Sequence, residues 1–134
     1  MVIAPWNSRF ATGIDLIDAQ HQSLFEAVNR LAEAFKAGHA KQQVKASLDF
    51  LVGYTQEHFQ DEERFMREMD YPGLAEHRGE HARLMEQVRD LQMAFEEGQP
   101  VAMDVAIFLA DWLREHIHGS DMAYVRFMKE PRQK

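Results

Sequence analysis

The sequence predicts an all-α protein, an up-down-up-down four-helix bundle with an N-terminal arm and a short C-terminal helix. Three observations predict this fold. Apolar residues recur three and four positions apart along four long segments, as they do on one face of a helix. Short stretches with glycine and proline separate the segments, so sequential helices have to lie antiparallel. No stretch alternates β-branched and polar residues as a strand does.

The elements follow from these stripes in chain order. The first 17 residues have little periodicity and are expected to form an ordered arm on the bundle. The long helices are predicted over residues 18–37, 40–69, 72–97 and 100–118, and a short terminal helix over 122–128. Gly38 and Gly98 are expected just past helix ends, and Pro72 and Pro100 in first helical turns.

Composition restricts the class of protein. With 134 residues, 46% of them hydrophobic, residues 1–134 are expected to form one domain with a real core. The net charge of −7 argues against nucleic acid and anionic membranes as partners. The absence of cysteine excludes disulfides, thiol catalysis and thiolate metal sites. Without a long apolar run or a signal-like start, the chain is predicted to be a cytoplasmic protein, and we expect a monomer.

Five of the seven histidines fall on the apolar stripes, and one carboxylate joins them a turn after His58. In an antiparallel bundle, the starts of the first and third helices meet the ends of the second and fourth. The phased side chains are therefore expected to converge at one end of the bundle; they are His21, His58, Glu62, His77, His81 and His116. Buried imidazoles and a buried carboxylate need partners, and bound metal supplies them.

Asp121 lies five residues after His116, which is about 140° around an ideal α-helix. A continuous helix would turn it away from the other side chains. We expect Gly119 to end the fourth helix in a left-handed conformation, so that Asp121 folds back as a seventh ligand.

The complete pattern is His21, His58-x-x-x-Glu62, His77-x-x-x-His81 and His116-x-x-x-x-Asp121. It closely resembles the bacterial members of the hemerythrin family, and the topology is the one that myohemerythrin exemplifies. The resemblance covers nearly the whole chain. It includes Trp6, the run Gly13-Ile14-Asp15 ahead of Asp18-Ala19-Gln20-His21, and Trp112-Leu113 before His116.

The resemblance implies a non-haem di-iron centre, with two iron ions per chain and an oxo or hydroxo bridge, that binds O2 reversibly. By position, His77, His81 and His116 would bind one iron, and His21 and His58 the other. Glu62 and Asp121 would bridge them, which leaves one coordination position open for O2. The residues expected to wall that position are Leu24, Phe59, Trp112, Leu113 and Ile117.

The resulting prediction is an oxygen carrier or store that is not an enzyme, with an oxygen-consuming enzyme as a candidate recipient. An O2 or redox sensor module is an alternative, as is a di-iron peroxidase or oxygenase. The segment His77-Arg78-Gly79-Glu80-His81 also matches the H-x-x-E-H signature of zinc peptidases. Ferritin-like oxidases use two Glu-x-x-His pairs, and this chain does not contain two. His39 and His118 are expected in solvent.

Overall fold

The computed structural model describes residues 3–129, and the main elements are helices. They are α1 (Asp15–Lys36), α2 (Lys41–Glu68), α3 (Leu74–Glu96), α4 (Ala102–His116) and α5 (Met122–Lys129). A single 3-10 turn, Ser8–Phe10, lies in the arm, and a π-helical turn, Ile117–Asp121, joins α4 to α5. The predicted four-helix bundle with an arm and a terminal helix is confirmed.

The four long helices pack around a shared core. α1 contacts both α2 and α4, and α3 contacts α2 and α4. Two contacts set the relative directions of α2 and α3. Near the end of α2, Glu63 lies against His81 at the start of α3, and near its beginning Asp49 accepts a hydrogen bond from Gln92. These helices are therefore antiparallel, as the short connection predicts.

The core follows the apolar stripes with one exception. Leu24, Val28 and Leu31 of α1 are fully buried, as are Leu48 and Leu51 of α2. Phe35, which the periodicity assigned to the same stripe of α1, is 41% exposed. It is the second-last residue of α1, at the end of the helix.

The arm is held by two side chains of α1. The Asn29 amide accepts hydrogen bonds from the backbone N–H groups of Ile3 and Ala4, and donates one to the Ala4 carbonyl. The Asp18 carboxylate accepts hydrogen bonds from the Thr12 backbone and hydroxyl and from the Gly13 backbone. The arm is thus ordered and packed on the bundle, as predicted.

The connections agree with the glycine assignments and correct the proline ones. Gly38 and Gly98 follow α1 and α3 with φ values of 71° and 97°, the left-handed backbone that glycine tolerates. Pro72 and Pro100 do not lie in first helical turns, because α3 begins at Leu74 and α4 at Ala102. The connections turn at both prolines. Tyr71 N donates a hydrogen bond to Met66 O just before Pro72, and Val101 N donates one to Gln99 O across Pro100.

The expected break at Gly119 is also wrong. The residues with positive φ in the described part of the chain do not include Gly119, and the chain continues helically through the π turn into α5. None of the described helices combines the length and apolar character needed to cross a membrane.

Candidate metal centre

Seven buried side chains from α1, α2, α3, α4 and the π turn converge at one end of the bundle. Each is 7% exposed or less: His21, His58, Glu62, His77, His81, His116 and Asp121. Their candidate ligand atoms form two groups, and within each group all atoms lie within 4.8 Å of one another. The three-histidine group contains His77, His81 and His116, and the two-histidine group contains His21 and His58. Glu62 and Asp121 belong to both groups.

Helical periodicity explains most of this convergence. His58 and Glu62 are four residues apart on α2, as are His77 and His81 on α3, so each pair shares a helix face. His21 lies near the start of α1 and His116 ends α4, and the antiparallel packing brings both to the same end. The sequence prediction that six phased side chains meet agrees with the described positions.

The π turn accounts for Asp121. In an α-helix, hydrogen bonds join residues four apart, whereas in a π-helix they join residues five apart. The π turn therefore places Asp121 nearly above His116, although the α-helical spacing would rotate it away. Asp121 reaches the cluster, as predicted, by widening of the helix rather than by a left-handed glycine.

The three-histidine group is compact. His116 Nε2 lies 3.0 Å from His77 Nε2 and 3.0 Å from His81 Nε2. Asp121 Oδ1 is 3.0 Å from His77 Nε2, and Glu62 Oε1 is 3.2 Å from the same nitrogen. Three imidazole nitrogens and one oxygen from each carboxylate thus point into one small volume.

The two-histidine group uses the other oxygen of each carboxylate. His21 Nε2 is 3.2 Å from Asp121 Oδ2 and 3.7 Å from Glu62 Oε2. His58 Nε2 is 3.6 Å from Glu62 Oε2. Each carboxylate therefore directs one oxygen to each histidine group, which is the arrangement of a bridging ligand.

Comparison with known proteins agrees with this geometry. Residues 12–128 match the family described as the hemerythrin HHE cation binding domain. The chain belongs to the hemerythrin family. A bacteriohemerythrin from Stenotrophomonas maltophilia is 33% identical over 129 residues, which cover 96% of this chain and 84% of that protein. A bacteriohemerythrin from Methylococcus capsulatus is 33% identical over 126 residues, which cover 92% of this chain and 95% of that protein.

The architecture of this hemerythrin-family chain is likewise similar to a solved structure. The crystal structure of a wild-type hemerythrin matches it with a TM-score of 0.87 at 32% identity. The match covers 92% of this chain and 96% of the other chain. The family resemblance predicted from the histidine pattern is confirmed.

Burial and charge oppose each other in this hemerythrin-type cluster. Burial lowers the pKa of His21 and of His77, but the carboxylates of Asp121 and Glu62 outweigh it, so the pKa values rise to about 9 and about 10. Burial lowers the pKa of His58 to about 4. Burial raises the pKa of Glu62 and of Asp121, yet the surrounding imidazoles hold both below their ordinary values. A cation that bound here would replace the protons that balance these carboxylates.

Several buried atoms of the cluster have no hydrogen-bond partner among the described residues. They include both carboxylate oxygens of Asp121 and both ring nitrogens of His21. Leaving such atoms unsatisfied costs about 1–3 kcal/mol each, so buried polar groups normally have partners. Carboxylate oxygens and imidazole nitrogens that direct their lone pairs into one small volume fit a site for a metal such as iron.

Tyr124 of α5 also reaches the cluster, and the sequence prediction missed it. Its hydroxyl donates a hydrogen bond to Glu62 Oε2 at 2.9 Å, and its side chain is fully buried. Burial raises the pKa of Tyr124, and the negative charges of Glu62 and Asp121 raise it further. The available signal was the spacing of three residues from Asp121, which places both on one face of a helix.

Replacing Tyr124 by phenylalanine should destabilise the metal-free protein by about 2 kcal/mol, because a buried hydrogen bond to a charged group is lost. Urea unfolding of the full chain measures this change. Tyr54→Phe is the matched control, since Tyr54 is half-buried on α2 and stacks on the exposed Phe50. It should change stability by less than about 0.5 kcal/mol. Equal losses in the two variants would contradict the role of the Tyr124 hydroxyl.

The residues expected to wall an open position divide into two kinds. Phe59 stacks on His81 with ring centres 3.7 Å apart, and Trp112 stacks on His116 at 4.2 Å. The Phe59 ring also lies 6.0 Å from that of His58. The aliphatic members are buried in the main core; they are Leu24, Leu113 and Ile117. His39 and His118 are exposed, as predicted.

Proposed function

We propose that the seven side chains hold two iron ions and that the centre binds O2 reversibly, as an oxygen carrier or store. The observation that supports this most strongly is that the two oxygens of each shared carboxylate face different histidine groups. Glu62 and Asp121 each direct one oxygen to the three-histidine group and one to the two-histidine group. This arrangement supports two adjacent metal positions that share both carboxylates.

The donor count makes the two positions unequal. The three-histidine position has five protein donors, and the two-histidine position has four. If the two ions shared one further ligand, the three-histidine position would have six donors and the two-histidine position would have five. Two ferrous ions, when bound, supply the two electrons that reversible O2 binding requires. The small ligand is therefore expected on the side of His21 and His58.

The protein surroundings favour binding over further chemistry. Leu24, Leu113 and Ile117 are 3% exposed or less, and Phe59 is 4% exposed. An apolar wall of this kind would keep water and protons away from bound O2, because water and protons are unstable in surroundings that lack polar partners. We propose these four residues and Trp112 as the wall of the O2 site.

The position of Glu80 disfavours the zinc-peptidase alternative. Glu80, the required general base, lies near Nδ1 of His116, on the side of the ring opposite the Nε2 atom that faces the cluster. His77 and His81 also share their group with a third histidine and two carboxylates, which the peptidase motif does not require.

Anaerobic reconstitution of the full chain with ferrous iron tests this proposal. We expect about two iron ions per chain, and a visible charge-transfer band that appears with O2 and disappears when O2 is removed, over repeated cycles. The same protein loaded with Zn²⁺ is the control and should stay colourless. A blank spectrum after iron loading would sink the proposal, and a band that cannot be reversed would favour an oxidase or peroxidase.

A further inference from the structure

A carboxylate lies behind His81, on the ring edge that faces away from the cluster. Glu63 Oε2 is 2.8 Å from His81 Nδ1, so the ring donates a hydrogen bond to it when Nε2 serves as a ligand. The other oxygen, Oε1, is 3.3 Å from Nε of Arg78. The Glu63 side chain is 19% exposed, so this contact is mostly sheltered from water.

A second carboxylate lies behind His116. Glu80 Oε2 is 3.5 Å from His116 Nδ1 and has no hydrogen-bond partner among the described residues. Its other oxygen accepts a hydrogen bond from the hydroxyl of Ser120 at 2.8 Å, so the π turn positions it. Glu80 therefore has contacts with His116 and Ser120 that are independent of a peptidase role.

The two-histidine group has a neutral partner instead. The side-chain carbonyl of Gln20 lies 2.7 Å from His58 Nδ1. The amide nitrogen of Gln20 donates a hydrogen bond to Asp61 Oδ2 at 2.8 Å, which fixes the orientation of the amide. The ring nitrogens of His21 have no hydrogen-bond partner among the described residues. Glu63 and Glu80, the carboxylates that face an Nδ1 atom, thus both lie behind histidines of the three-histidine group.

The geometry points to Glu63 and Glu80 as positioning residues that make the three-histidine position the more electron-donating of the two metal positions. Gln20 orients His58 without adding charge. The inference rests on the proposed metal function. Glu63 accepts a hydrogen bond from Nδ1–H of His81, which fixes that ring and raises the basicity of Nε2. Glu80 makes no hydrogen bond to His116, but its negative charge 3.5 Å from Nδ1 acts in the same direction. A more basic Nε2 binds a Lewis acid more tightly and favours the higher oxidation state. Glu63, at the shorter distance, has the larger effect.

Binding of Co²⁺ to the metal-free chain, in competition with a chelator, measures the first consequence. Wild-type protein should bind two Co²⁺. Glu63→Gln should weaken one of the two by about 10-fold to 100-fold, and Glu80→Gln should weaken the same one by less. Glu86→Gln is the matched control, because Glu86 is exposed on α3 and lines the same groove as Glu80. It should change neither affinity by more than about twofold.

The midpoint potential of the iron-loaded protein shows whether Glu63 changes the electron donation of His81 or only holds its ring in place. Glu63→Gln should shift it to more positive values, by about 59 mV for each tenfold loss of preference for the ferric ion. The double variant Gln20→Glu/Asp61→Asn moves a carboxylate behind His58 at constant net charge, with an amide kept to donate to it. It should shift the midpoint potential to more negative values. A mere disturbance of the structure by the two substitutions would not produce that direction.

The outcomes are distinguishable. If wild-type protein binds no pair of Co²⁺ ions, the proposed metal function fails. If it binds two, and Glu63→Gln and Glu80→Gln match Glu86→Gln in affinity and potential, the metal function stands and the inference is overturned. A potential that moves in the same direction in Glu63→Gln and in the double variant also overturns it.

Discussion

Replacing His77 with alanine is expected to abolish the O2-dependent band and to weaken metal binding at the three-histidine position by more than about 100-fold, exceeding the effect of losing a supporting contact. The His77 Nε2 atom lies within 3.2 Å of Glu62 Oε1, Asp121 Oδ1 and His116 Nε2. Its removal therefore takes away a donor and leaves both shared carboxylates with one fewer neighbour. Iron content after gel filtration and the visible spectrum with and without O2 measure the loss.

His118→Ala is the matched control for this prediction. His118 follows two residues after His116, but it is exposed, and its ring contacts that of Phe10 in the arm at a tilt of 47°, with ring centres 4.8 Å apart. The variant should keep both iron ions and the full band. Loss of the band in both variants would contradict the assignment of inward and outward faces around the end of α4.

Removing the metal is expected to produce the second large effect. Holding free ferrous iron at 100 times its dissociation constant should raise the free energy of unfolding by about 2.7 kcal/mol for each filled site, because the proposed site exists only in the folded chain. For a chain of this size, each site then adds about 10 °C to the melting temperature. The physical source is the set of buried atoms in Asp121 and His21 that lack hydrogen-bond partners among the described residues.

Anaerobic calorimetry of the full chain, with and without buffered ferrous iron, measures this shift. His77→Ala serves as the control, since its rise at the same iron concentration should be smaller by several degrees. Identical melting temperatures for wild-type protein in both conditions would contradict metal binding to the folded cluster.

The phase of a residue on a helix is a local property, and it located most of the cluster. His58 and Glu62 share a face because they are four residues apart, and no neighbouring helix is needed to know it. The same holds for His77 and His81. The short connections then required antiparallel neighbours, which carried these faces to one end of the bundle.

Asp121 lies at the limit of that reasoning. Its spacing from His116 is wrong for an α-helix, and the sequence left a break at Gly119 as the expected solution. The structure uses a π turn instead. Which of the two occurs depends on α5, whose Tyr124 packs into the cluster and bonds to Glu62, and so favours a helix that continues.

The sequence does not indicate the contacts that Glu63, Glu80 and Gln20 make with the histidine rings. The helix phase of Glu63 and Glu80 turns them away from the core, and their contacts with imidazoles arise across helix boundaries. Gln20 reaches His58 of α2 from α1 in the same way. Such contacts depend on the rotation and axial shift of one helix against another.

The sequence by itself determined the helices, their inward faces and six of the seven cluster positions, because hydrogen bonds within each helix set a fixed period along the chain. Only the tertiary structure decided the path of the chain to Asp121, the hydrogen bond of Tyr124 and the carboxylates behind His81 and His116. Core packing between helices sets those distances, and local sequence does not encode them.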